Sequence, residues 1–426
     1  MIRELNFDNG LQIIYRNDPN QLALSIGLFV AAGIAEETER TNGIAHFLEH
    51  MVFKGTPSRS AKQIAKEMDL LGGRMNAMTS KEYTSYYITV LPDDLAQAVD
   101  LLTDIYLNPN MDPKEVELER KVIGEEIRMY DDTPDEWIHD HFAQVIWNKS
   151  PLGNPILGTM ETLGAITATD LREFHGMYND QRRLIISIAG NIPNEAALID
   201  TLTAKFSKKT KKITIPPLLA APQPSQGISI THKATEQVHF CMGVQAVAYD
   251  NPDKYALGVL NTIFGSGMSS RLFQKVREEK GYAYSVYSYL STYRQTGLFT
   301  VYGGVNPNTL DKALHVIGAE WEKLLSKPIP ESELKKAKSQ MKSQMLMSLE
   351  RPSSWMGWMA RNLYYNKHYV PLDEIVANME AVTRDDLSRV ANAYLQLDKI
   401  AFAAVGPISQ QQSERYQTGI AKILKK

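Results

Sequence analysis

The stretch VLPDDLAQAV at residues 90–99 recurs as VNPNTLDKAL at residues 305–314, a shift of 215 positions. A second match is independent of the first: TDL at 169–171 and AGNI at 189–192 return as DDL at 385–387 and VGPI at 405–408, a shift of 216. The shift barely changes over about a hundred residues, and half of the 426-residue chain is 213. The sequence therefore predicts two copies of one domain.

Each copy alternates β-like runs with long helical patterns, which predicts the α+β class, with one sheet and packed helices made twice. The runs lie at residues 12–15, 23–30, 83–90 and 184–189 in the first copy. Lysines at 208–212 and prolines at 216–224 are typical of an extended linker. We expect a first domain over residues 1–212, a linker over 213–227 and a second domain over 228–426.

Composition excludes several classes of protein. The net charge of -3 offers no basic field for a phosphate backbone, so we expect no nucleic-acid partner. Cys241 is the single cysteine, which excludes an intramolecular disulfide and a cysteine-based zinc finger. The first residues, MIRELNFD, are charged where a secretory signal is apolar, and the apolar run at 22–35 is too short to span a bilayer. We expect a cytoplasmic protein without a membrane partner.

The segment NGIAHFLEHMVFKG at residues 42–55 carries the chemistry. Its pattern predicts a helix with Asn42 before it and Gly55 after it. At about 100° per residue, His46, Glu49 and His50 share one face of this helix. Two imidazoles at i and i+4 can bind one zinc ion, and the carboxylate between them can take a proton from a water molecule at the metal. His-x-x-Glu-His is the inverted form of the better known zinc-peptidase motif.

The competing interpretation is an amphipathic helix whose polar face holds two histidines by chance. The repeat argues for a functional role, because the shift of 215 places Asn261, Phe264 and Gly265 opposite the three motif residues. The second copy thus keeps the helix and lacks the ligands. This asymmetry indicates a catalytic first copy and a structural or substrate-binding second copy.

Zinc needs a third protein ligand, with one position left for water. The candidates are five glutamates in the helical stretch at residues 112–130, namely Glu115, Glu117, Glu119, Glu125 and Glu126. Glu119 and Glu126 share a face, and Gly124 suggests close approach to a neighbour. Spacing alone leaves the choice open, and an acidic solvated face is the alternative.

With these motifs in place, the chain resembles the inverzincin peptidases of the pitrilysin, insulin-degrading enzyme and mitochondrial processing peptidase family. It is most similar to half-length bacterial members that look like the mitochondrial β subunit. The resemblance covers essentially the whole chain. Its motifs are Gly43–Met51, GGRMNA at 72–77, Glu119 to Glu126, and GMSSRLF at 267–273. It implies a mainly antiparallel sheet in each domain and one half of a clamshell.

The resemblance also implies roles for individual residues. Glu126 becomes the third zinc ligand and Glu119 a second functionally sensitive glutamate. Arg277 and Tyr284 match an arginine and a tyrosine that contact the scissile peptide in the family. Read without the family, they are part of a charged helix end and an ordinary strand aromatic.

Asn76 and Ala77 match an edge strand along which family substrates pair in extended form. An ordinary turn after GG at 72–73 is the alternative reading.

We therefore expect a zinc-dependent metalloendopeptidase that binds one Zn²⁺ per chain and cleaves extended or unfolded peptides. The alternative is an inert structural or partner subunit, because the family includes members whose motif has decayed. The zinc motif and the Arg/Tyr pair coexist in one chain, so we expect a homodimer in which each site is completed by the opposite subunit. A heterodimer with an inert homologue is the second arrangement. The sequence does not predict the cleavage-site preference.

Overall fold

The computed structural model describes residues 1–207 and 220–424, which form two compact units. Within these residues, the first unit contains residues 1–128, 155–207 and 346–369, and the second contains 129–154, 220–345 and 370–424. Each unit thus takes one segment from the other half of the sequence. The lysines at 208–212 and the part of the predicted linker at 213–219 lie outside the described residues.

The described part of the first unit contains a six-stranded sheet. Its strands are β1 (Ile2–Asn6), β2 (Gln12–Asn17), β3 (Leu24–Val30), β4 (Arg74–Thr79), β5 (Thr84–Val90) and β6 (Leu184–Gly190). Their order is β1-β2-β6-β3-β5-β4, so β4 lies at an edge. All neighbours are antiparallel except β2 and β6.

The described part of the second unit repeats this sheet without an equivalent of β1. Its strands are β7 (Ile228–His232), β8 (Val238–Ala246), β9 (Ala283–Thr292), β10 (Gly297–Val305) and β11 (Ala401–Gly406). Their order is β7-β11-β8-β10-β9, and only β7 and β11 are parallel in this described sheet. The predicted α+β class, with a mainly antiparallel sheet in each of two domains, is confirmed.

The helices follow the same repeat. In the first half of the chain they are α1 (Ile44–Met51), α2 (Ala61–Leu70), α3 (Leu95–Leu107), α4 (Pro113–Asp131), α5 (Pro134–Ile146), α6 (Met160–Ala165), α7 (Ala168–Tyr178) and α8 (Glu195–Lys205). In the second half they are α9 (Asp253–Phe264), α10 (Leu310–Ser326), α11 (Glu331–Ser348), α12 (Pro352–Asn366), α13 (Leu372–Ala381), α14 (Arg384–Tyr394), α15 (Gln410–Gln417) and α16 (Ile420–Leu424). Among these described helices, none is long and apolar enough to cross a membrane.

The repeated stretch at 90–99 and 305–314 has one structure in both copies. A strand ends at Val90 or Val305, a 3₁₀ turn with proline at its first position follows, and a long helix begins at Leu95 or Leu310. The second matched stretch also has the same structure in both copies. Helices α7 and α14 each begin with a threonine capping box, and a strand follows each helix. These local signals explain why the repeat is visible in the sequence.

Helix α12 covers one face of the first sheet although it comes from the second half of the chain. Its Met356 and Met359 pack with Phe29 of β3 and Ile185 of β6. The other face of β3, which includes Ile26, packs against helices such as α1. All seven residues of β3 are buried, as expected for a strand that is covered on both faces, and only Ser25 among them has a polar side chain. In the second unit, α5 packs in the same way on β8 and β11.

Candidate metal centre

The residues that precede helix α1 determine where the helix begins. Gly43 precedes the helix with φ of +93°, a left-handed conformation that favours glycine. The expected cap, Asn42, does not bind the helix end; its amide donates instead to Glu37 at 2.8 Å. The buried Glu37 carboxylate accepts from the backbone N–H groups of Gly43 and Ala45 at 2.8 and 2.9 Å. Burial raises the pKa of the Glu37 carboxyl to about 8, although the hydrogen bonds from Ala45, Gly43 and Asn42 oppose this shift.

The motif residues lie on α1 as the periodicity predicts. Ile44, Phe47 and Met51 are buried in the core of the first unit. Glu49 and His50 are partly exposed, whereas His46 is buried, with 7% of its surface accessible. The helix thus carries its two imidazoles and its carboxylate at the border between core and solvent.

Helix α4 brings a third donor to these imidazoles. Oε2 of Glu126 lies 3.8 Å from Nε2 of His46 and 3.6 Å from Nε2 of His50. One donor atom from each of the three residues lies within 4.8 Å of the others, and among the described residues this is the one such cluster of three. Ligands at 2.0–2.2 Å from a tetrahedral zinc ion stand about 3.4 Å apart, so the observed distances fit a shared ion.

The protonation of His46 also fits a metal ligand. Burial, together with the charge of nearby His50, lowers the pKa of the His46 imidazole to about 3. The ring is therefore neutral at pH 7, which is the form that binds metal. Its Nδ1 atom is buried and has no hydrogen-bond partner within residues 1–207 and 220–424.

Glu119 orients His50. Nδ1–H of His50 donates to Oε1 of Glu119 at 2.8 Å, and Lys54 forms an ion pair with the other carboxylate oxygen. Burial alone would raise the pKa of Glu119, but the hydrogen bonds from His50 and Lys54 lower it below its ordinary value. The bond to Nδ1 leaves Nε2 of His50 directed to Glu126. This is the carboxylate–histidine arrangement found around metal sites.

Glu49 has a partner on the edge strand. Oγ1 of Thr79, the last residue of β4, donates to Oε2 of Glu49 at 2.5 Å. Burial raises the pKa of the Glu49 carboxyl above its ordinary value, against the effect of this hydrogen bond. A carboxylate with a raised pKa is a better proton acceptor near neutral pH than an ordinary one.

Asn76 and Ala77 lie on the same strand. The side chains of Arg74, Asn76 and Met78 are exposed on one face, whereas Ala77 and Thr79 are buried on the other. The Ala77 N–H also bonds the side chain of Asn76 at 2.9 Å. The two residues are in an edge strand and not in a turn, so the expected secondary structure is observed.

Arg277 and Tyr284 belong to the second unit, where they contact each other. The Arg277 guanidinium lies 5.0 Å from the centre of the Tyr284 ring and 4.8 Å from that of Phe273. Tyr284 is the second residue of β9, and 75% of its surface is accessible. Both residues line an open cavity of about 420 Å³. The structure thus brings together His46, His50, Glu126, Glu49 and Glu119 in one unit, and Arg277 with Tyr284 in the other.

The end of the matching helix in the second copy packs closely on the sheet. Gly265 stands where the repeat places the equivalent of His50, and a Cβ atom there would lie 2.3 Å from the backbone nitrogen of Ser288. The side chain of Asn261, opposite His46 in the repeat, accepts a hydrogen bond from Ser288 at 2.7 Å. The predicted loss of ligands is therefore accompanied by tighter packing on the sheet.

Three residues near the candidate metal centre were not identified from the sequence: Glu37, Lys54 and Thr79. No periodic pattern in the sequence links any of these three residues to the residue that it contacts. The approach predicted at Gly124 is also looser than expected, because a Cβ atom there would lie 3.5 Å from the flexible end of Met160. A glycine in this helix is not required by close backbone packing.

Comparisons with known proteins find matches to both halves of the chain. The family model described as Insulinase (Peptidase family M16) matches residues 12–160, and the one described as Peptidase M16 inactive domain matches residues 165–341. The uncharacterized zinc protease YmxG of Bacillus subtilis is 38% identical over 97% of this chain and 100% of its own length. An uncharacterized zinc protease of Streptomyces coelicolor is 34% identical over 99% of this chain and 93% of its own length.

A solved structure supports the same assignment. The crystal structure of a protease from Helicobacter pylori superposes with a TM-score of 0.89 at 25% identity, over 96% of this chain and 99% of that one. The family predicted by the resemblance is therefore confirmed. The chain belongs to the insulinase (M16) family of peptidases.

Proposed function

We propose that this protein is a zinc metalloendopeptidase that cleaves extended or unfolded peptides. The observation that carries the proposal is the convergence of His46, His50 and Glu126 beside Glu49 on α1. Two imidazole nitrogens and one carboxylate oxygen are a known donor set of catalytic zinc sites. The names of the relatives, uncharacterized zinc proteases, support zinc as the metal.

In this proposal each residue of the first unit has a defined task. His46, His50 and Glu126 hold the ion, and Glu119 fixes the ring of His50 through Nδ1. Zinc, when bound, polarises the scissile carbonyl and lowers the pKa of a water molecule. Glu49 accepts a proton from the attacking water and passes it to the nitrogen of the leaving amine. Its raised pKa suits both steps.

The edge strand supplies a place for the substrate. The outer edge of β4 carries no strand in the described sheet, so an extended peptide has room to pair there, and the Ala77 N–H would exchange its bond to the Asn76 side chain for one to the peptide. Asn76 and Ala77 would pair with the peptide backbone in this mode. Because such pairing uses main-chain groups, it favours unfolded segments over folded proteins. The preference for particular side chains is a matter for cleavage-site profiling on a peptide library.

Arg277 and Tyr284 would contact the scissile peptide. A guanidinium and a phenol can hold a peptide backbone and stabilise a developing oxyanion. The exposure of Tyr284 and its contact with Arg277 support a shared role in binding. For assembly, we propose a homodimer in which each zinc centre receives Arg277 and Tyr284 from the opposite chain; a heterodimer with an inert homologue is the alternative.

Metal analysis together with turnover of a fluorogenic peptide tests the proposal. We expect about one zinc ion per chain, with activity that is lost on chelation and restored by added zinc. Glu126→Gln should lose both zinc and activity. Glu125→Gln is the matched control, because Glu125 is exposed on the same helix and pairs with Arg128. A wild-type protein that binds zinc and cleaves no peptide would favour the inert-subunit alternative.

A further inference from the structure

The orientation of the Glu49 carboxylate needs an explanation beyond its place on α1. The last torsion of a glutamate side chain is broad, so the backbone does not fix the plane of the carboxylate. Proton transfer, however, requires the accepting oxygen within hydrogen-bond reach of the water. Another group must therefore hold the carboxylate in place, because the Glu49 side chain is partly exposed to solvent.

Thr79 is well placed to do this because its own position is fixed. It ends β4 opposite Thr84, and the turn between them is closed by bonds from the Ser80 backbone and hydroxyl to the carbonyl of Tyr83, at 2.9 and 2.8 Å. Thr79 is 8% exposed, on the strand face that turns away from solvent. Its hydroxyl therefore has few alternative positions.

The hydroxyl protons in this region can be assigned. Thr84 donates its proton to the carbonyl of Ala32 at 2.9 Å, which is closer than its 3.5 Å approach to Oγ1 of Thr79. Oε2 of Glu49 accepts at 2.5 Å, so the single proton of Thr79 is directed to the carboxylate. This bond to a charged acceptor is a strong one.

We propose that Thr79 is a positioning residue for Glu49, whose hydroxyl holds the carboxylate in one orientation for proton transfer. The inference rests on the proposed function, because it concerns the same reaction. Thr79 does not touch the substrate in this role. It links the general base to β4, so the strand proposed to bind the peptide also holds the group that activates water.

Kinetics of two substitutions test the proposal. Thr79→Val removes the hydroxyl at nearly constant shape, and Thr79→Ala removes it without added bulk. We expect kcat to fall by about ten- to a hundredfold in both, the range for losing a bond to a charged group, with KM within about twofold of wild type. Thr79→Ser keeps a hydroxyl and should retain kcat within about threefold. Zinc content should be unchanged in all three.

Thr89→Val is the matched control. It removes a hydroxyl from β5, where Thr89 bonds Ser25 at 2.7 Å on another part of the same sheet. A loss of kcat in this control as large as in Thr79→Val would show a general effect of sheet packing and would overturn the inference. So would full kcat in Thr79→Val and Thr79→Ala.

Two further measurements test the inference, and the second does not depend on the proposed function. In a Glu49→Gln background, Thr79→Val should cost no additional activity, because the group that it positions is gone. Crystal structures of metal-free wild type and Thr79→Val should show one Glu49 carboxylate orientation in the first and a displaced or multiple orientation in the second. The crystallographic comparison decides the role of Thr79 even if wild type cleaves no peptide; an unchanged Glu49 would overturn it.

Discussion

The hydrogen bond between His50 and Glu119 determines which ring nitrogen of His50 faces the metal position. Nδ1 is engaged at 2.8 Å, so Nε2 is the atom near Glu126. Lys54 in turn neutralises Glu119 through its other oxygen. At the scale of single residues, the centre is thus a chain of contacts from Lys54 through Glu119 to His50, and we place Glu119 outside the set of metal ligands.

Glu119→Gln should weaken zinc binding without removing a ligand. The amide retains a similar shape but is a weaker acceptor for Nδ1–H and loses the ion pair with Lys54, so we expect an affinity about 10- to 100-fold lower. Competition with a metal chelator measures this, with Glu125→Gln as the control on the same helix. An affinity equal to that of wild type would argue against an orienting role for Glu119.

The loop that follows α1 is tied to α3 by a compact charged network. Asp104 of α3 accepts from Thr56 at 2.8 Å, Ser58 at 2.7 Å and Arg59 at 2.7 Å. Burial would raise the pKa of Asp104, but these donors and Asn108 outweigh it and lower the pKa to about 2 from an ordinary 3.8. At the scale of elements, this network anchors the end of the segment that carries the motif.

Acid should weaken the protein through this network. The pKa of Asp104 is lower in the folded state, so its stabilising effect is complete well above pH 3.8 and is lost as the pH falls toward 2. The effect is about 2 kcal/mol. Chemical unfolding at pH 7 and pH 3 should show a smaller pH dependence for Asp104→Asn than for wild type. Asp69→Asn, an exposed change on α2, should behave as wild type; an unchanged pH dependence in Asp104→Asn would contradict this account.

Local signals explain which elements the sequence predicts. Neighbouring residues determine the strand, turn and helix at 90–99 and the capping box before α7. Both repeated stretches can therefore be recognised in the sequence. The order of the strands cannot be recognised in this way, because β6 lies between β2 and β3 although it follows them by more than 150 positions in the sequence. The periodicity of α5 and α12 shows that each buries a face, but not which sheet that face meets.

The residues of the candidate site could be predicted from the sequence to a similar degree. Spacing on one helix predicts that His46, Glu49 and His50 share a face. Five glutamates within one helical stretch left the third ligand open, and the family resemblance selected Glu126. The contacts of Thr79 and Glu37 with α1 could not be predicted, because no repeating pattern in the sequence links either residue to its partner on that helix.

For the whole molecule, the coexistence of the zinc cluster and the Arg/Tyr pair in one chain supports the proposed homodimer. A mixing experiment tests whether active sites are shared between chains. Arg277→Ala and Glu49→Gln chains, each inactive alone, should regain partial activity when they exchange into one dimer, since one site then has both an intact zinc centre and an intact Arg277. No recovery despite demonstrated subunit exchange would count against shared sites.

Glu49→Gln tests the central claim most directly, because it removes the general base and leaves every proposed zinc ligand in place. Zinc content and turnover of a fluorogenic peptide are measured on the same preparations of wild type and variant. We predict about one zinc ion per chain in both proteins, and a loss of turnover of at least about a thousandfold in Glu49→Gln, near the upper part of the range for general base catalysis. Full turnover by the zinc-loaded variant would contradict the mechanism.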